Sequence, residues 1–142
     1  MKKNKTINDF VEITNLDSKK DRKALESGGR GYLIQDIDDV SVALHTNTDA
    51  RFIAMLVFHP EKQRGNHYHI NKTEYILILK GKLKAKFELY DNPNEATETE
   101  LEAGQLIKIL PGCIHTFTAI KDKVIALEFS PQLYAESDVL ER

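Results

Sequence analysis

The sequence predicts an all-β fold, a closed or two-sheet antiparallel structure. Three observations carry that expectation: strand-sized apolar runs recur at short intervals, turn residues separate them, and one run alternates cleanly between apolar and charged side chains. "RFIAMLVF" (51–58) and "EYILILK" (74–80) are continuous runs rich in β-formers, the pattern of inner strands covered on both faces. After Gly81, "KLKAKFELY" sets Leu83, Ala85, Phe87 and Leu89 on one face and Lys82, Lys84, Lys86 and Glu88 on the other, as a half-buried strand does. "DNPNEATETE" (91–100) reads as a polar loop, and "QLIKIL" (105–110), "IHTFTA" (114–119) and "VIALEF" (124–129) supply three more strands.

The two ends read differently. "DSKKDRKALESGG" is expected to form a short helix, capped by Asp17 or Ser18 and ended by Gly28. "GYLIQDIDDVSVALHTN" (31–47) reads as additional strands leading into the core, and Ser130-Pro131 opens an expected C-terminal helix through "QLYAESDVLER". The chain is therefore read as a single domain, 1–142, with an N-terminal arm of strands (1–50), a barrel core (51–130) and a C-terminal helix (131–142). The strand-like segments of the arm exceed what the core needs, and such arms extend a partner's sheet, so a homodimer is expected.

Composition narrows the function. At 142 residues, with 41% hydrophobic and 30% charged, the chain has room for one core. A net charge of -2 argues against nucleic acid, whose binders concentrate positive charge. The longest apolar runs are too short to span a membrane and "MKKNKTINDF" lacks the apolar centre of a signal peptide, so a cytoplasmic protein with no membrane partner is expected. The single cysteine, Cys113, cannot form an internal disulfide and reads as a small buried hydrophobe rather than a nucleophile.

Chemistry concentrates in "RGNHYHINKTEYILILKG" (64–81). Residues i and i+2 of a strand share a face, so His67 and His69 project together while Tyr68 points away. Imidazole suits borderline transition metals, and the nearby carboxylate of Glu74 adds charge that offsets part of an ion's desolvation. A fourth candidate, His115, is delivered by the Pro111-Gly112 turn of "LPGCIHTF". Packing does not require this joint pattern, which favours a divalent metal, whether zinc, iron, manganese or nickel. His45 and His59 read first as ordinary hydrogen-bonded or half-exposed histidines, and the lysines of "KGKLKAK" as a soluble outer face that discourages edge pairing.

On these residues the sequence resembles a cupin. Its first motif, H-x-H, four residues, Glu, six residues and Gly, is matched by His67, His69, Glu74 and Gly81. The family's leading glycine is missing, since Glu61 stands at its place. The second motif is matched by Gly104, Gly112 and His115, with Leu110 at the usual proline place followed by Pro111, and Ala119 at the customary asparagine. The resemblance implies a double-stranded β-helix, a jelly-roll barrel with the metal inside. "RGNHYH" is similar to the R-G-x-H segments of dTDP-sugar 3,5-epimerases and 3,4-ketoisomerases, and "GNHYHINKTEYILILKGK" resembles the C-terminal cupin of capsule-synthesising UDP-sugar enzymes. What this implies is an epimerase or isomerase of a keto nucleotide sugar in surface carbohydrate biosynthesis, a small-molecule enzyme in which the metal polarises a carbonyl. His59 or a barrel-facing tyrosine is the expected proton carrier, and Arg64 the expected contact for a phosphate or sugar oxygen. Two other readings remain: a mononuclear iron oxygenase on the same ligands, and a non-catalytic sugar-binding barrel.

Overall fold

Alternating burial sorts the strands into layers. The computed structural model describes residues 5–15, 32–37, 41–45 and 49–141. These form β1 (Val11–Asn15), β2 (Tyr32–Ile37), β3 (Ser41–His45), β4 (Phe52–Phe58), β5 (Arg64–His69), β6 (Glu74–Lys80), β7 (Lys82–Leu89), β8 (Asn92–Glu102), β9 (Gln105–Ile109), β10 (Cys113–Ala119), β11 (Val124–Ser130) and β12 (Val139–Glu141). One five-stranded sheet runs β1-β9-β6-β11-β4 and a second runs β12-β5-β10-β7-β8, while β2 and β3 pair with each other as a separate hairpin. All strand pairs are antiparallel.

The expected face of β7 is buried, with Leu83, Ala85, Phe87 and Leu89 each at most 1% exposed. They join Ile76 and Ile78 of β6, Ile107 and Ile109 of β9, and Val124 and Ala126 of β11 in one core between the two large sheets. Gly81 turns β6 into β7 at φ +95°, where an added Cβ would meet Val124 at 2.9 Å, so the turn needs a residue without a side chain.

Three expectations are corrected. Residues 91–100 are not a loop but lie mostly in β8, an edge strand on β7. Lys84 and Lys86 stand opposite Glu100 and Glu98, and Lys84 Nζ lies 3.4 Å from Glu98 Oε2, so cross-strand charge holds a strand that buries little. Among the described residues the 51–58 run is not covered on both faces: β4 is an edge strand with Ile53 and Met55 65% and 72% exposed. The C-terminal helix over 131–142 is absent, replaced by a 3-10 turn, Glu136–Asp138, and strand β12 on β5. Side chains in this segment serve backbone elsewhere, which a helix would forgo: Gln132 Oε1 accepts from Thr73 N–H, and Asp138 accepts from the amides of Asn71 and Lys72. The N-terminal helix expected over 17–28 lies outside the described residues. Strands β2 and β3 fall within the expected 31–47 span. Among the described residues no helix is long and apolar enough to cross a membrane.

Candidate metal centre

The two sheets bring the four candidate ligands to one point inside the barrel. His67 and His69 come from β5 and His115 from β10, its neighbour, with His115 directly opposite His67. Glu74 opens β6 in the facing sheet. One donor atom from each of the four lies within 4.8 Å of the other three. The claw depends on a kink in β5. Gly65 and Asn66 adopt positive φ of +102° and +61°, and the pairing of β10 with β5 shifts register between His115 and Thr116. This places Gly65 so close to β10 that a Cβ there would fall 2.5 Å from the His115 carbonyl oxygen.

His69, Glu74 and His115 are buried and His67 is half-buried, and the four donors turn toward one another. His69 Nε2 lies 2.9 Å from Glu74 Oε1, and His115 Nε2 lies 2.8 Å from Glu74 Oε2. The second contact is not aligned as a hydrogen bond and leaves Oε2 a buried acceptor without one. His115 Nδ1 lies 3.1 Å from the Cys113 carbonyl oxygen, which leaves Nε2 as the ring's free donor toward the centre. Burial and the neighbouring His115 lower the pKa of His67 to about 4, so its ring is neutral and offers a lone pair near pH 7. Burial alone would lower His115 too, but the charge of Glu74 outweighs it and holds His115 above the ordinary histidine value. Burial would raise Glu74, yet the neighbouring His115, together with the hydrogen bond to His69, holds it well below the usual carboxylate range. Three imidazoles and an ionised carboxylate, one oxygen of it unpartnered, fit a borderline divalent cation.

A cavity of about 310 Å³ opens onto this cluster and is lined also by Arg64, Lys72, Glu128, Phe52 and Tyr134. Lys72 is 3% exposed. Its Nζ lies 3.2 Å from Glu128 Oε1, 3.5 Å from Glu74 Oε1 and 4.2 Å from the centre of the Phe52 ring. Burial, then Glu74, raises the Glu128 pKa to about 7. His67, His69, Glu74, His115 and Arg64 thus meet at one cavity, and His59 does not: it is exposed just beyond β4 and is no part of the wall. Tyr68 faces away and stacks on Tyr90 with centroids 4.5 Å apart. Cys113 is a buried thiol whose pKa desolvation pushes up to about 12. Lys72, Glu128 and Asp138 did not stand out in the sequence. Only Glu128 left a local signal, a single charge in step with Val124 and Ala126 on the core face of β11.

The molecule is a two-sheet β-barrel in which three histidines and a glutamate converge on one cavity. Residues 39–142 match the model of the cupin family, and the chain belongs to that family. It is 29% identical over 119 residues to UDP-2-acetamido-2,6-beta-L-arabino-hexul-4-ose reductase of Pseudomonas aeruginosa, covering 74% of this chain and 32% of the relative. The chain thus spans about a third of that curated relative's length. The fold is similar to a sugar 3,4-ketoisomerase from Thermoanaerobacterium thermosaccharolyticum solved with TDP, at 15% identity and TM-score 0.70 over 93% of this chain and 88% of that one. It is also similar to the TDP-fucose-3,4-ketoisomerase of Campylobacter jejuni (14% identity, TM-score 0.69, 93% and 89% covered). The capsular polysaccharide assembling protein of Staphylococcus aureus gives 19% identity and a TM-score of 0.59, covering 77% of this chain and 34% of that one.

Proposed function

We propose that the chain is a metal-dependent cupin that epimerises or isomerises a keto nucleotide sugar in surface carbohydrate biosynthesis, holding one divalent transition metal on His67, His69, Glu74 and His115. The observation that carries this is the convergence of four donor side chains, three of them buried, in the wall of one cavity. At about 310 Å³ it sits near the lower bound of small-molecule sites, about 300 Å³, so it suits the sugar ring and leaves the nucleotide at the mouth. The sugar-nucleotide activities named for the reductase and the two ketoisomerases support the same substrate class.

A bound divalent cation would supply Lewis acidity toward a carbonyl oxygen. The chain's own residues do the rest. Arg64, in the cavity wall, offers a fixed fork of donors to a phosphate or sugar oxygen. Moving a proton at the carbon beside the ketone needs a group within hydrogen-bond reach, and Glu128 and Tyr134 line the cavity where His59 does not. The apolar wall of Leu56, Phe58, Ile76 and Phe117 excludes water and strengthens each charge inside.

The test is a metal-loaded protein incubated with 4-keto nucleotide sugars in deuterium oxide and followed by NMR. Label is expected at the carbon beside the ketone. No label across several such sugars would sink the enzyme reading. In that case oxygen uptake dependent on ferrous iron would identify an oxygenase, and tight sugar binding without turnover a binding barrel.

A further inference from the structure

His69 is 5% exposed, and a carboxylate faces each of its ring nitrogens. Nε2 meets Glu74 at the centre, whereas Nδ1 points the other way, 3.4 Å from Oδ2 of Asp138, and has no hydrogen bond. Asp138 is itself 8% exposed and is held in place by backbone. Its Oδ1 accepts from the Asn71 N–H at 2.6 Å and its Oδ2 from the Lys72 N–H at 3.1 Å. Both amides belong to the turn that joins His69 to Glu74, so one carboxylate ties the C-terminal segment to the loop between two ligands. A neutral imidazole that coordinates through Nε2 carries its proton on Nδ1 and needs an acceptor there. A shift of about half an ångström would bring Nδ1 to ordinary hydrogen-bond distance from Asp138.

We propose that Asp138 is a positioning residue for the metal ligand His69: its carboxylate accepts a hydrogen bond from Nδ1–H, fixing Nε2 as the coordinating atom. This rests on the metal reading above. His115 gets the same service from a backbone carbonyl, that of Cys113, so Asp138 supplies by side chain what the β10 backbone supplies to its neighbour. The consequence reaches beyond one ring. Val139 and Glu141 of β12 lie opposite His69 and His67, so docking of the last strand and loading of the metal are coupled.

The experiment is zinc binding by chelator competition to the full chain, comparing wild type, Asp138→Asn and Asp138→Glu. Asp138→Asn is expected to weaken zinc about 10–100-fold, and Asp138→Glu to recover part of that loss. Nitrogen-15 NMR of the zinc-loaded wild type should show His69 protonated at Nδ1 and bound through Nε2, a signature that a merely structural aspartate would not set. Unchanged zinc affinity in a folded Asp138→Asn protein would overturn the proposal. If that variant does not fold, the wild-type spectrum decides: His69 bound to zinc through Nδ1 overturns it. Wild type that binds no zinc at all instead sinks the metal site itself, a result distinct from the others because it needs no substitution.

Discussion

A proton on His115 competes with a metal for the ring nitrogen that faces the centre. The Glu74 carboxylate holds its pKa above the usual histidine value, while His67 titrates only near 4 and Glu74 stays ionised. The sign follows. Below the raised His115 value a metal competes with one proton, so zinc affinity should fall by up to about tenfold per pH unit, and it should level off once His115 is neutral. Calorimetry in buffers of different ionisation heat should register about one proton released per zinc at the acid end. Affinity that does not change between about pH 6 and 8 would contradict this account of the pair. The four ligands were legible because H-x-H in a strand fixes two side chains on one face, and a glutamate and a proline-glycine turn at set distances mark the facing strand and the neighbouring one. Lys72, Glu128 and Asp138 were not. Each acquires its role from a neighbour 54 or more residues away, as Lys72 does from Glu128 and Asp138 from the Asn71 and Lys72 amides.

The kink in β5 is a device of the whole element. Gly65 lacks the Cβ that would strike the His115 carbonyl, and its φ of +102° is one that other residues resist. Gly65→Ala should cost about 1–3 kcal/mol from backbone strain alone, more with the clash, and it should weaken zinc because the struck residue is a ligand. Gly104→Ala is the control, at φ +89° but with open space around it. Denaturant unfolding that ranks the two variants equally would remove the clash from the explanation. Local pattern revealed β7, whose alternation is a property of its own residues. It missed β8, whose glutamates make sense only against the lysines of β7, and it missed β12, a three-residue strand whose partner is β5. The expected C-terminal helix followed the proline rule but ignored side chains already committed to distant backbone.

At the scale of the molecule, no layer among the described residues covers the outer face of the first sheet. Ile53 and Met55 of β4 and Leu79 of β6 are 65%, 72% and 52% exposed, beside half-buried Leu77 and Leu127 and buried Phe129. Among the described residues the apolar run that read as doubly covered is thus covered on one side, and a contiguous patch of this kind marks an association surface. Chain connectivity points the same way. β1 and β4 are opposite edges of this sheet, four strand spacings or about 19 Å apart, and between them in sequence lies the β2–β3 hairpin, paired only with itself. A two-stranded hairpin is marginal alone. A second copy of the chain would satisfy both needs in one isologous contact. Sedimentation at micromolar concentration should therefore give twice the 16.2 kDa chain mass. Met55→Lys, which places a charge on the outer face away from the metal ligands, should yield monomer that still binds zinc. A wild-type monomer would refute the dimer, and a Met55→Lys dimer of unchanged affinity would move the interface off this face.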